Sequence, residues 1–156
     1  YSLLSLGNVV RSHFDVKNLI TWDKVNIGMG HYFRRRHEYI IFATNENTRK
    51  IRNRKFPDVW RFKRIHSSKY PTQKPVEVFQ AMLHASSEDG FTVCDPFLGS
   101  ASSAIAAIKN NCNYIGCDIS DKSIEISTSR ISEYLKSGKD NLQTKSMAVD
   151  ENIFWE

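Results

Sequence analysis

Apolar positions change their spacing twice along the chain, and the changes divide it into parts. In residues 1–14, Leu3, Leu6 and Val10 recur at helical spacing, with Gly7 weakening the pattern. "NLITW" (Asn18 to Trp22) and "HEYIIFAT" (His37 to Thr44) then read as strands joined by a loop holding "NIGMG", which predicts an antiparallel hairpin. Residues 45–69 lose regular spacing, with at most one short strand at "DVWRF", and read as loop. From residue 70 onward helical and strand patterns alternate. Pro75 suits the first turn of a helix, and Val76, Phe79, Met82 or Leu83, and Ser86 follow as one predicted buried face. "FTVC" (Phe91 to Cys94) and "NYIGC" (Asn113 to Cys117) are short continuous apolar runs, the pattern of strands covered on both faces. "SSAIAAIKN" between them reads as a helix of small residues, and "SDKSIEISTSRISEYLKS" as a helix capped by Ser120. Residues 70–135 thus form a βαβα unit, which predicts an α/β fold with a parallel sheet and right-handed crossovers. Residues 136–156 are largely polar, with Ile153, Phe154 and Trp155 near their end, and predict a loosely attached tail.

At 156 residues and 40% hydrophobic, the chain has enough material for one globular core, and no repeat divides it. The longest apolar-rich stretch, Val76 to Ala85, is interrupted by Glu77 and Gln80 and is far shorter than a membrane span. No signal-peptide pattern is present, so a cytoplasmic location is expected. Cys94, Cys112 and Cys117 match no zinc spacing and are expected to be small buried thiols in a reducing compartment. His13, His31, His37, His66 and His84 form neither a ligand pattern nor a triad, and no metal is expected. The first residue is Tyr rather than Met, which fits a piece of something longer.

Charge alters this picture more than composition does. Between Arg34 and Lys69, twelve Lys or Arg face three acids, a local +9 in a chain whose total is +5, so the other 120 residues carry −4. Arg34, Arg35, Arg36, Arg49, Arg52, Arg54, Arg61 and Arg64 are interleaved with Phe33, Phe56, Trp60 and Phe62. A phosphate-binding surface with stacking side chains has this pattern, and so does a solvated face.

The candidate chemistry lies where the predicted parallel strands end. Ligands of open α/β sheets bind beyond the carboxyl ends of the strands, and Asp95 and Asp118 both fall there. After Asp95, Gly99 lets the backbone pass close to a ligand, and the helix start near Ser100 and Ser102 offers N–H groups to a carboxylate. An acid about twenty residues further on suits a pair of ribose hydroxyls. A ligand with an amino acid at one end and a nucleoside at the other fits both sites. A dinucleotide is the alternative, although the G-x-G-x-x-G spacing is absent, and Asp118 could instead cap a helix.

"YPTQKP" (Tyr70 to Pro75), then a helix, then "DPFLGS" resembles motifs X and I of the β-class amino DNA methyltransferases, whose usual forms are HPTQKP and DPFxGSGTTG. "ITWDKVNIGMGHYFRRRHEYIIFAT" is similar to their motif VIII segment, and "DVWRF" to the short strand that precedes motif X. The match runs from about Leu3 to Leu135, in the family's order. It implies a Rossmann-like S-adenosylmethionine-dependent methyltransferase sheet, incomplete in this chain, with an antiparallel hairpin. Residues 1–135 would be a partial catalytic domain: helix and hairpin in 1–44, a basic DNA-contacting loop in 45–69, and the cofactor-binding unit in 70–135.

By this resemblance, Thr72, Gln73 and Lys74 lie beside the methionine end of S-adenosylmethionine. Asp95, Phe97, Gly99, Ser100 and Ser102 form the loop around its amino acid and adenosine, Asp118 accepts from the ribose, and Ile119 packs on the adenine. Ala101 and Ala104 replace usual glycines, and Tyr70 the usual His. The implied reaction moves a methyl group to adenine N6 or cytosine N4 of duplex DNA, as in restriction-modification, and needs no metal or covalent nucleophile. The D-P-P-Y motif that holds the target amine is absent, so no catalytic residue is assigned here. An upstream segment or a partner chain is expected to supply it, and a homodimer is one arrangement that could. The competing reading is an inactive remnant that binds DNA or cofactor.

Overall fold

Dense β-branched and aromatic residues build the first sheet. In the computed structural model, which describes residues 2–45, 50–52, 54–66 and 69–149, α1 (Ser2–His13) leads into β1 (Asp15–Asp23). β1 pairs antiparallel with β2 (His37–Thr44), from Asp15 opposite Thr44 to Asp23 opposite His37, with a bulge between Val16 and Asn18. On the other edge of β1 lies β3 (Val59–Arg61), parallel to it, with Trp22 opposite Trp60. The hairpin and the short strand are as expected, but 45–69 is not simply a basic loop. Trp60 and Phe62 are buried at 2% and 0% exposure, and the Trp22 indole N–H donates to the Phe62 carbonyl at 2.7 Å. These two rings are core and not stacking surface, because Val78 and Ala81 of the helix that follows Pro75 cover them; Phe33, at 102% exposure, remains outside.

α2 (Val76–Ser86) joins the two halves of the structure. Val78 and Ala81 pack with Trp22, Trp60 and Phe62, while Val76 packs with Ile105 and Ala106 of α3 (Ser102–Lys109). Burial on two sides explains why a single-face reading fails here: Glu77, Val78, Ala81 and Ala85 are buried, and the expected Ser86 is exposed and donates to the Met82 carbonyl.

α3 is the crossover between β4 (Thr92–Asp95) and β5 (Asn113–Gly116), which pair in parallel from Thr92 opposite Asn113 to Asp95 opposite Gly116. α4 (Asp121–Ser137) follows, capped by the Ser120 hydroxyl as expected. Among the described residues only one face of this two-stranded sheet is covered: Tyr114 packs toward Leu98, Ala101 and Ala104, while Ile115 is 63% exposed. The expectation of strands buried on both faces is therefore not met. Nor is that of buried thiols, since Cys94 and Cys117 are exposed. No second layer lies over them among the described residues.

The C-terminal segment also departs from expectation. The part of it described, up to Val149, is tied down and not loose. The Gln143 side chain accepts from the Val76 N–H at 2.8 Å and donates to Glu77 at 2.6 Å, and the Met147 N–H donates to the same carboxylate at 3.0 Å. Backbone bonds from Lys63 to Met147 and from Val149 to Arg61 complete the attachment. Ile153, Phe154 and Trp155 lie outside the described residues. No helix among the described residues is long and apolar enough to cross a membrane.

An uncovered parallel pair with an apolar face tends to associate. Expressed alone, the chain is expected to self-associate or precipitate, and Ile115→Lys to raise its soluble fraction. A monomer of the unaltered chain that melts cooperatively in solution would contradict this.

Candidate functional site

The loops beyond β4 and β5 are built on two carboxylates. One oxygen of Asp118 accepts from the Gly99 N–H at 2.8 Å and the other from the Ser120 N–H at 2.9 Å, so a single side chain ties the two strand ends together. Those hydrogen bonds, from Ser120 and then Gly99, hold its pKa below 3.8. Gly99 takes the left-handed conformation (φ +51°) that its loop needs. Asp95 accepts from the Phe97 N–H at 2.9 Å and from the Ser103 hydroxyl, which in turn meets the Tyr114 hydroxyl at 3.1 Å. Burial pushes Tyr114 up to about 12, so the phenol stays neutral. Its ring lies over Gly116, where a Cβ would come within 2.7 Å of it.

The segment before α2 forms the opposite wall. Its Tyr70 hydroxyl meets the Ser123 hydroxyl at 2.9 Å, and the Lys74 carbonyl accepts from the Ser102 hydroxyl at 2.7 Å. Thr72 sits at φ +58°, an uncommon conformation for a β-branched residue and one that clusters at functional sites. Ala101 is also left-handed, at φ +64°, and fully buried; this costs of the order of 1 kcal/mol relative to the family's usual glycine.

Between the walls is a cleft of about 290 Å³. It gathers Thr72, Gln73, Lys74, Asp95, Phe97, Gly99, Ser100, Ser102 and Asp118, all expected from the sequence. Ile119 is not in its lining and stands fully exposed one residue past Asp118. Tyr70, Phe79, Leu98 and Ser103 complete the lining and were not foreseen. A larger hollow of about 780 Å³, near Arg11, Asp15 and Thr44, contains none of these groups.

The cleft suits a ligand with an amino acid and a nucleoside end. A carboxylate has about four lone-pair sites, so Asp118 can accept from two hydroxyls beyond its two backbone bonds. Phe97 exposes 86% of its surface, a free apolar face beside it. The Ser102 and Ser100 hydroxyls, by contrast, face inward, to Lys74 and to a buried Arg130 that sequence reasoning missed. Its signal was present in the 123, 127, 130 spacing of Ser, Ser and Arg on one face of α4.

The basic residues separate into two groups. Arg36 forms a two-point pair with Asp23 at 2.7 and 2.5 Å, and Arg61 reaches the same carboxylate at 3.7 Å. The Arg36 hydrogen bond is the main reason that Asp23 titrates below its usual value. Glu38 bridges this region to the cleft, with Lys74 at 3.0 Å and Lys24 at 3.3 Å. Burial pushes its carboxyl up, but the two lysines outweigh that and leave it lowered. Arg34 is exposed and donates to the Gly28 carbonyl at 2.7 Å, near the fully exposed Tyr32 and Phe33. Arg35, Arg52 and Arg54 are exposed, Arg64 is half-buried, and Arg49 lies outside the described residues. No cluster of metal-binding side chains is present among the described residues.

Parallel strands whose carboxyl ends carry two acids and a glycine loop define a Rossmann-like α/β ligand-binding unit. The DNA methylase family profile, for N6 and N4 methyltransferases, matches residues 4–129, and the chain belongs to that family. It is 35% identical over 109 residues to the type II methyltransferase M.HhaII of Haemophilus parahaemolyticus, covering 67% of this chain and 46% of that protein. It is 28% identical over 153 residues to M2.MboI of Moraxella bovis, covering 85% and 56%. The chain thus spans about half the length of these curated relatives. The fold is similar to that of M1.HpyAVI, solved as a SAM complex, with a TM-score of 0.67, 22% identity, and coverage of 83% of this chain and 70% of that one. The fold is that of the S-adenosylmethionine-dependent methyltransferases, as the motifs implied.

Because its folded pKa is depressed, the Asp118 carboxylate stabilises the loops fully above 3.8, and that contribution is lost as pH falls through its lower folded value. The protection factors of the Gly99 and Ser120 amides, taken against their intrinsic exchange rates, should fall on acidification through the lowered carboxylate pKa. Asp118→Asn should exchange fast at neutral pH already, since its NH2 group must face one backbone donor. Gly99 protection that is the same in both proteins would contradict the bridge.

Proposed function

We propose that the chain is the methyl-donor half of a DNA amino-methyltransferase, which binds S-adenosylmethionine in the cleft and contacts duplex DNA through the hairpin loop. The observation that carries this is the convergence of Thr72, Gln73 and Lys74 with Asp95, Phe97, Gly99, Ser100, Ser102 and Asp118 on one cleft. When bound, the cofactor supplies a methyl group activated on a sulfonium.

This chain's part is to hold and orient that donor. Asp118 takes the ribose hydroxyls, and Phe97 and Ile119, both exposed, offer apolar surface to the adenine. Tyr70 and Phe79 line the same cleft, and aromatic rings favour a cation. The backbone at the start of α3 faces the carboxylate end. The target amine, on adenine N6 or cytosine N4, would be presented by residues outside this chain, upstream or on a partner. Transfer then depends on positioning and local electrostatics and not on a side chain of this segment.

DNA contact is assigned first to the exposed Arg34 and Arg35, and then to Arg52, Arg54 and Arg64, with Arg49 in the same basic run. Arg36 and Arg61 brace the hairpin loop through Asp23 and have less charge to offer. A modification enzyme of a restriction system, acting in the cytoplasm, is the natural setting.

In the full-length protein, Asp118→Ala should weaken S-adenosylmethionine binding by about tenfold or more in calorimetry. Unchanged affinity would remove Asp118 from the site. Replacing Arg34 and Arg35 together with Ala should lower DNA affinity and reduce the slope of log K against log salt by about 0.9 for each phosphate no longer neutralised. An unchanged slope would remove them from the interface. Binding of both ligands without methyl transfer would favour the inactive-module reading.

A further inference from the structure

The geometry points to Arg130, anchored by Asp140, as the positioning residue that locks the two walls of the cleft together; its effect on catalysis rests on the methyl-donor reading above. Arg130 is 1% exposed, on the α4 face that it shares with Ser123 and Ser127. Its Nη1 donates to the Ser100 carbonyl at 2.6 Å, to the Ser102 hydroxyl at 3.1 Å and to the Ser100 hydroxyl at 3.4 Å. Its Nε and Nη2 donate to the two oxygens of Asp140, at 2.9 and 2.6 Å. The Ser102 hydroxyl passes the connection on, donating to the Lys74 carbonyl at 2.7 Å.

Asp140, Arg130, Ser102 and Lys74 therefore form one continuous chain of bonds, from the C-terminal segment through the glycine loop to the opposite wall. A buried ion pair is a weak source of stability, because desolvation offsets most of its attraction. What this pair supplies is direction. The planar guanidinium fork fixes where Ser100 and Ser102 stand relative to Asp140, and a lysine cannot reproduce its geometry. Left-handed Ala101, held between those two serines at φ +64°, is a conformation that persists only where its surroundings over-determine it. The clamp also gives the attached C-terminal segment a role: it carries Asp140 to the buried end of Arg130.

The test uses the full-length protein with Arg130→Lys, Asp140→Asn and a control, Glu77→Gln, which weakens the same C-terminal segment without touching the loop. Arg130→Lys should raise the KM for S-adenosylmethionine by about tenfold or more, change kcat by less than about threefold, and speed hydrogen exchange across residues 98–103. Glu77→Gln should lower the melting temperature and leave both the KM and that exchange unchanged. If Arg130→Lys does not fold, Asp140→Asn, which keeps the guanidinium and one acceptor oxygen, gives the same readouts. Wild-type KM and exchange in the folded variant would overturn the proposal, as would a Glu77→Gln effect equal to that of Arg130→Lys. If the unaltered protein binds no S-adenosylmethionine, the methyl-donor reading falls, and exchange across 98–103 alone decides the clamp: faster exchange upholds it and unchanged exchange overturns it.

Discussion

The Asp118 carboxylate is the constraint on which the site depends. Two short strands end side by side, and each is followed by a loop that must turn back over its own helix. Accepting from Gly99 in the loop after β4 and from Ser120 at the head of α4, a single side chain fixes the relative position of the two loops and still has lone pairs to offer a ligand. Asp95 does the same within its own loop, through Phe97 and Ser103. These acids are therefore builders of the cleft before they are contacts in it. The motif is accordingly compact: the residues that shape the backbone are the ones placed to meet the ligand.

α2 performs the equivalent task between the halves of the structure. Val78 and Ala81 face the Trp22, Trp60 and Phe62 core, and Val76 faces Ile105 and Ala106. Because "YPTQKP" leads directly into this helix, one wall of the cleft is positioned by both cores at once. Glu38, paired to Lys74 and Lys24, extends that coupling to the hairpin, which carries the exposed basic and aromatic loop.

Much of this was legible in the sequence. The hairpin, the crossover unit and the Ser120 cap follow from local pattern, and nine of the ten expected cofactor residues line the cleft. What was not legible depended on contacts distant in sequence. Trp60 and Phe62 sit among arginines and read as stacking surface, yet α2 buries them. Arg130 is marked in the sequence only by its spacing with Ser123 and Ser127, and the acid that pairs with it, Asp140, is brought against it by the chain beyond α4. The tail shows no periodic pattern, since it is attached by hydrogen bonds to Glu77 and Val76 and by Ala148 against the Trp22, Trp60 and Phe62 core. Cys94, Ile115 and Cys117 are exposed because no second layer covers that face of the sheet among the described residues, which no local pattern records.

Holding the methyl donor between its two motif walls is the central task proposed for this segment. Photo-crosslinking of the full-length protein with S-adenosylmethionine tritiated at the methyl group, followed by peptide mapping, tests it directly. Label should concentrate in peptides spanning residues 70–79 and 95–120, and unlabelled cofactor should compete it away. Competable label confined to peptides outside this segment would contradict the account.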